Sequence, residues 1–216
     1  MGPNGNGAGP RFHNVITTEA ELRAVIGEAS DLVWNKVIAQ VDDHCRQFIA
    51  KSPFLLIASS DSSGILDVSP KGDPAGFVKV LDDHTLVIPD RLGNRRVDTF
   101  RNVLQNPNVG LIFLVPGRRD TLRISGKARI VRDASLLATM AIKGRAPDLA
   151  LVLHVERALF HCAKSVIRSS LWDPAGWPDA TGVSSPAESL LAHARPEGSV
   201  ADMQKLIDDD IRERLY

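Results

Sequence analysis

Cysteine is scarce: Cys45 and Cys162 are the two thiols in 216 residues. So few, so far apart, exclude a disulfide framework and fit a reducing, cytoplasmic setting. Net charge is lacking too, since Lys+Arg and Asp+Glu both number 26. That balance argues against a nucleic-acid binder, which carries a basic excess, and against a polybasic membrane-surface protein. No apolar run reaches the roughly 18 residues of a membrane-spanning helix. The opening segment, rich in Gly, Pro and Asn, has no apolar centre of the kind a signal peptide needs, and reads as a flexible leader over residues 1–16. There is no P-loop, no GxGxxG and no convincing Ser/His/Asp order. His13, His44, His84, His154 and His193 are scattered. His161 and Cys162 adjoin, but neighbours on a strand point to opposite faces, so a shared metal is not expected.

What the chain does have is a 44% hydrophobic composition and many short apolar runs. Thr17-Thr18-Glu19-Ala20-Glu21 opens a capped helix that continues to Ile26, and a second helix is expected over residues 42–51, stopped by Pro53. Leading helices followed by strands suggest packing on the outside of a sheet. Strands are expected at 54–59, 65–70, 77–81, 85–89, 109–115, about 121–130 and 151–162, with turns such as Asp61-Ser62-Ser63-Gly64 between them. Residues 109–115 are apolar throughout, as for a strand buried on both faces. The next strand alternates, with Leu122, Ile124, Gly126, Ala128 and Ile130 on one face and Arg123, Ser125, Lys127 and Arg129 on the other. A helix over about 134–142 intervenes. Seven short strands with tight turns and no βαβ rhythm favour a mainly β fold with flanking helices, an antiparallel barrel. The stretch 171–197 looks mostly irregular. Residues 199–216 read as a helix with Met203, Leu206, Ile207, Ile211 and Leu215 on one stripe, which docks on its own core or on a partner subunit.

Several groups of residues carry chemistry. Gly93-Asn94-Arg95-Arg96-Val97-Asp98-Thr99-Phe100 reads as a helix capped by Asn94, with Arg95 and Arg96 in the first turn, where acidic residues are normally favoured. Free N–H groups and two guanidiniums there make an anion site suited to phosphate; the alternative is two solvated arginines. Ser69-Pro70-Lys71-Gly72-Asp73 ends a strand with a hydroxyl, a cation and a glycine that lets backbone approach a ligand, or else is an ordinary polar turn. Arg123, Ser125, Lys127 and Arg129 form a basic strand face that lines a pocket mouth or faces water. Lys164, Arg168 and Trp172 fall at i, i+4 and i+8, two cations and an indole on one helix face, suited to an anionic aromatic ligand; the alternative is a solvated face anchored by Trp172.

In order along the chain, Ser69-Pro70-Lys71-Gly72-Asp73, Pro89-Asp90-Arg91-Leu92-Gly93-Asn94-Arg95-Arg96, Thr121-Leu122-Arg123-Ile124-Ser125-Gly126-Lys127-Ala128 and Phe160-His161-Cys162-Ala163-Lys164 with Arg168-Ser169-Ser170-Leu171-Trp172 resemble the pyridoxamine 5′-phosphate oxidase-like FMN-binding proteins, in their uncharacterised branch. The likeness covers residues 54–174. It implies an antiparallel Greek-key split β-barrel, residues 17–174 with the leading helices, followed by an extension over 175–216. It also implies a homodimer with FMN at the subunit interface. By resemblance Asn94, Arg95 and Arg96 grip the FMN phosphate. Ser69, Pro70 and Lys71 border the flavin, and Pro89 and Asp90 lie along the isoalloxazine or ribityl. Thr121 and Arg123 come from a neighbouring strand, of this chain or the other, and Lys164, Arg168 and Trp172 close the site. Lys71 or Arg123 is expected to stabilise reduced, anionic flavin. The family's oxidase carries an Arg-Leu-x-Pro ending, whereas this chain ends Arg212-Glu213-Arg214-Leu215-Tyr216, which puts vitamin B6 as substrate in doubt. The implied activity is an FMN oxidoreductase for an unknown small molecule. The alternatives are a flavin-binding or redox-sensing protein without turnover, or a barrel holding haem or F420.

Overall fold

The computed structural model describes residues 12–216; most of the leader expected over 1–16 lies outside them. The chain divides into two compact units, one up to Lys36 and one from Val37 to Tyr216. The first holds α1 (Glu19–Ile26) and the short α2 (Asp31–Asn35). α1 begins as its sequence predicts: Glu21 N–H donates to Thr18 Oγ1 at 3.3 Å, and Thr18 N–H donates back to the Glu21 carboxylate at 3.1 Å. This reciprocal arrangement satisfies N–H groups that a helix start leaves without partners.

The second unit contains α3 (Asp43–Lys51), β1 (Phe54–Ser60), β2 (Leu66–Gly72), β3 (Lys79–Asp82), β4 (Thr85–Pro89), α4 (Asp98–Gln105), β5 (Asn108–Leu114), β6 (Thr121–Val131), α5 (Ala134–Ala138), β7 (Ala150–His161), α6 (Lys164–Arg168), α7 (Pro186–Ala194) and α8 (Val200–Arg214). Its seven strands form one antiparallel sheet in the order β2-β1-β5-β6-β7-β4-β3. β2 and β3 are both edges, so the curled sheet is a split barrel rather than a closed one. Register explains the core. Leu55 and Ile57 of β1 stand opposite Phe113 and Leu111 of β5, which stand opposite Leu122 and Ile124 of β6, and all six are buried. Cys45, Phe48 and Ile49 of α3 and Phe100 and Val103 of α4 join this cluster. A residue of this size contributes roughly 1.5–3 kcal/mol when fully buried.

Two expectations of the sheet and tail change. β5 alternates instead of being buried on both faces: Val109, Leu111 and Phe113 are buried, while Ile112 is 37% exposed. An antiparallel sheet turns one face to the core, and hydrophobic composition alone does not say which residues take it. The stretch expected to be irregular contains α7, which starts with a reciprocal cap between Ser185 and Glu188 and has Pro186 in its first turn. α7 packs on α8. On the apolar stripe of α8, Met203 is buried, whereas Leu206, Ile211 and Leu215 are 57%, 56% and 60% exposed.

Candidate functional site

β2 carries Asp67, Ser69 and Lys71 at alternate positions, hence on one face; Ser69 lies opposite buried Ile57 and Lys71 opposite buried Leu55, so this is the inner face. β4 delivers Asp90 at its end. The chain then runs through residues 91–97 into α4, whose buried Thr99, Phe100 and Val103 fix it against the sheet. Between these elements and residues 145–149 lies a cleft of about 510 Å³, also lined by Arg214 and Tyr216. Ligand sites commonly occupy roughly 300–1,000 Å³.

The arginine pair sits differently from its sequence expectation. α4 begins at Asp98, not at Asn94, and its N-cap is Val97, in the left-handed region at φ 53° and ψ 31°. Helical backbone cannot continue back through that residue. The first turn therefore holds Asp98, the sign that helix electrostatics favours, and Arg95 and Arg96 stand on the loop just before it. Asn94 serves the loop rather than the helix: its Oδ1 accepts from Arg96 N–H at 3.0 Å. Arg96 Nε donates to Asp98 Oδ2 at 2.7 Å. Arg95 is left-handed as well, at φ 62°. No side chain caps the first-turn N–H groups of α4, and Val97, Asp98 and Thr99 line the cleft beside the two arginines.

The floor is more acidic. Burial pushes the Asp90 carboxyl above its ordinary range; Asp148 adds to the shift, while Lys71 and Arg91 oppose it. Asp67 Oδ2 is buried without a hydrogen-bond partner. Arg91 Nε donates to Asp73 Oδ2 at 2.6 Å and its Nη2 to the Met140 carbonyl at 2.9 Å, and the Asp73 side chain is 1% exposed. This buried ion pair braces the wall between β2 and the Arg91–Val97 loop.

Ser69, Pro70, Lys71, Asp90, Asn94, Arg95 and Arg96 are thus brought together. Pro89 is buried inside β4 and does not line the cleft. Thr121 and Arg123 line a separate depression of about 420 Å³ with Ile112, Leu114, His161 and Leu171. The face proposed for Lys164, Arg168 and Trp172 does not form. α6 ends at Arg168, Ser170 turns left-handed at φ 50°, and the Trp172 indole instead donates to the Arg118 carbonyl at 2.6 Å. The sequence reading missed Asp67, Arg91, Arg145, Asp148, Arg214 and Tyr216. Asp67 was findable, two residues before Ser69 on the same strand face. Nothing local marks Arg145, Asp148, Arg214 or Tyr216.

Other chemistries find little support. Burial pushes the Cys45 thiol up to about 12, which leaves it protonated and unreactive. Among the described residues no group of three or more His, Cys, Asp or Glu is placed to hold a metal. No described helix is long and apolar enough to cross a membrane.

The sequence profile of the pyridoxamine 5′-phosphate oxidase family matches residues 41–162, more than half of the chain. The chain belongs to this family. The matched residues of this pyridoxamine 5′-phosphate oxidase family protein run from just before α3 to the end of β7, the whole sheet included. Its fold is similar to that of HupZ from Group A Streptococcus, at 18% identity over 56% of this chain and 93% of that one, with a TM-score of 0.46. It is similar to General Stress Protein 26 from Bacillus anthracis, at 13% identity over 53% and 88% of the two chains, TM-score 0.42. It is also similar to HutZ, a haem storage protein from Vibrio cholerae, at 15% identity over 57% and 94%, TM-score 0.40. No curated protein matches the sequence.

Proposed function

We propose that this family member is an FMN-dependent oxidoreductase acting on a small-molecule substrate as a cytoplasmic homodimer. The observation that carries the reading is the paired Arg95 and Arg96 beside the uncapped start of α4, at one end of a cleft that also holds Lys71. The donor set fits the group. A phosphate dianion is met by two guanidiniums and backbone N–H groups, which is how helix starts hold anions. The space of about 510 Å³ extends past this end, between Ser69, Lys71 and Asp90 on one side and Pro147 and Leu149 on the other, enough for a planar ring system. When bound there, FMN supplies reversible two-electron chemistry. The chain's residues do the rest. Arg95, Arg96 and the α4 N–H groups hold the phosphate, Lys71 sets a positive charge within the cleft, and Leu92, Phe100 and Leu149 exclude water. Asp90 is a carboxyl that keeps its proton to higher pH than an exposed one. No side chain has to act as nucleophile.

The homodimer accounts for the split of the predicted site. The outer face of the sheet exposes Leu66 at 75%, Val68 at 59% and Ile112 at 37%, and Thr121 and Arg123 border that same face. A second copy covering this apolar surface would bring its Thr121, Arg123, Lys164 and Arg168 toward the first protomer's cleft. The absorption spectrum of the purified protein, with mass identification of what it releases, tests the cofactor: FMN supports the proposal, whereas haem or F420 replaces it. Turnover with NADH or NADPH and an oxygen or quinone acceptor separates an enzyme from a redox sensor. Arg95→Ala with Arg96→Ala should weaken FMN by about 5- to 30-fold, taking about 1–2 kcal/mol for the Arg95 contact and little for Arg96, which already pairs with Asp98. Undiminished FMN retention in that variant removes the proposal's basis.

A further inference from the structure

Arg95 and Val97, at φ 62° and 53°, put two non-glycine residues in the left-handed region within three positions. Each such residue costs on the order of 1–3 kcal/mol and persists only where its surroundings hold it. Inside the loop, the Asn94–Arg96 and Arg96–Asp98 contacts restrain its middle and exit. Its start is held from the far end of the sequence. Arg214 Nη2 donates to the Gly93 carbonyl at 2.8 Å, and Arg214 Nη1 bonds Asp210 Oδ1 at 2.8 Å, so one guanidinium bridges α8 to the loop.

Tyr216 ties the same segment to the other walls. Its hydroxyl donates to Asp73 Oδ1 at 3.1 Å, the oxygen that Arg91 leaves open. Lys143 Nζ lies 5.0 Å from the centre of its ring, and Arg145 Nη1 donates to its carbonyl at 3.4 Å. The last residue of α8 and the segment after it therefore touch the Gly93 loop, the Asp73 side and the residues between α5 and β7, three walls of one cleft. Exposed ion pairs alone would mean little. Here the Tyr216 hydroxyl meets a carboxylate whose side chain is 1% exposed and already committed to an ion pair.

We propose that Arg214 and Tyr216 are positioning residues of the cleft: together they latch the end of α8 across its rim and hold the Gly93–Val97 loop in the conformation that presents Arg95 and Arg96. The inference rests on the flavin reading only for what the cleft holds; the latch itself is testable without ligand. Closing the latch and filling the anion site stabilise the same loop conformation, so each strengthens the other.

Tyr216 is the chain's single tyrosine, which makes its phenol a direct probe. Burial, and then Asp73, raise its pKa above the ordinary tyrosine range; Arg91 opposes, and Lys143 and Arg145 also face it. In ligand-free protein, Arg214→Ala should bring the phenolate absorbance titration back toward the ordinary value. It should also speed hydrogen exchange of the Arg96 and Arg101 backbone amides, which donate to Asn94 Oδ1 and the Val97 carbonyl, by about fivefold, the factor one lost hydrogen bond of ordinary net strength gives. Arg214→Lys, which keeps a cationic donor, should restore both. Tyr216→Phe, which removes one hydroxyl, should speed the same amides if Arg214→Ala fails to fold. With FMN as probe, Arg214→Ala should release it up to about fivefold faster, since the ligand can feel no more than the latch contributes. If exchange at Arg96 and Arg101 stays at the wild-type rate in both Arg214→Ala and Tyr216→Phe, the latch is overturned. If wild-type protein binds no FMN while the amide and phenol responses occur, the flavin reading fails and the latch stands.

Discussion

Replacing Val97 with asparagine should raise the stability of the fold, an unusual direction for a substitution at a binding loop. A β-branched residue in the left-handed region suffers a clash between its side chain and the backbone worth roughly 1–2 kcal/mol. Asparagine adopts φ near 53° with far less penalty, and unlike glycine it does not add much freedom to the unfolded chain. Against the gain stands the apolar surface lost. Val97 is 47% exposed, so about half of a ~1.5 kcal/mol burial term is forfeited. The net is a stabilisation of about 0.3–1.3 kcal/mol, which for a domain of this size raises Tm by roughly 1–5 °C. Calorimetry on the two proteins measures it. Because the backbone shape is kept, FMN affinity should change less than about twofold. Val97→Pro is the opposing probe: its φ is fixed near −65°, so it cannot form the turn that separates the arginines from α4, and FMN binding should be lost. A Tm for Val97→Asn equal to or below that of the parent would refute the claim that strain is stored here.

Two further outcomes follow from particular groups. A carboxyl whose folded-state pKa is raised adds stability below its unfolded pKa of about 3.9 and loses that contribution as pH climbs through the folded value. Asp90→Asn should therefore raise Tm at neutral pH and leave it nearly unchanged at about pH 3.5; a gain of equal size at both pH values would contradict the burial argument. Gly126 sits at the register shift between β6 and β7, where a Cβ would lie 1.9 Å from the His154 carbonyl oxygen. Gly126→Ala should cost about 3 kcal/mol or more, roughly 6–12 °C in Tm, whereas Gly110→Ala, whose Cβ meets nothing within 4 Å, should stay within about 0.5 kcal/mol.

The sheet was legible because its signals are local. β6 alternates as written, with Leu122, Ile124 and Ala128 buried and Arg123, Lys127 and Arg129 exposed, and β4 occupies the expected residues 85–89. α3 spans Asp43–Lys51, close to the expected 42–51, and its N-cap Asp42 accepts Cys45 N–H on its carboxylate at 2.9 Å. α7 was hidden by composition, since the Pro, Ala, Ser and Gly around it outweighed one Ser-Pro-x-Glu cap. The start of α4 was misplaced for a different reason. Val97, Phe100 and Leu104 keep helical spacing back through the loop, and nothing in residue type announces that Val97 turns left-handed. Of the candidate site, the strand end at 69–71 and the segment 90–96 could be read because each is contiguous. Arg145, Asp148, Arg214 and Tyr216 reach the cleft only through tertiary contacts. Trp172 failed where helix length was assumed: a stripe over nine residues needs a helix longer than the five residues of α6.

The charge of the cleft completes the argument from composition. A chain with 26 positive and 26 negative residues shows no anion-binding bias in total, and the cleft keeps that balance: with the internal ion pairs set aside, Lys71, Arg95 and Arg145 stand against Asp67, Asp90 and Asp148. Of the cations lining the cleft, Arg91 is committed to Asp73, Arg96 to Asp98 and Arg214 to Asp210. Lys71, Arg95 and Arg145 have no ion-pair partner among the described residues. An arriving phosphate would have to draw Arg96 from a carboxylate 2.7 Å away, an exchange of one exposed pair for another that gains little. Arg95 has no such competitor, and its left-handed backbone fixes where its side chain leaves the loop. The loss of FMN in the double variant should therefore be carried mainly by Arg95. Asp98, which restrains Arg96 while itself standing in the first turn of α4, shapes the loop more than it repels the ligand.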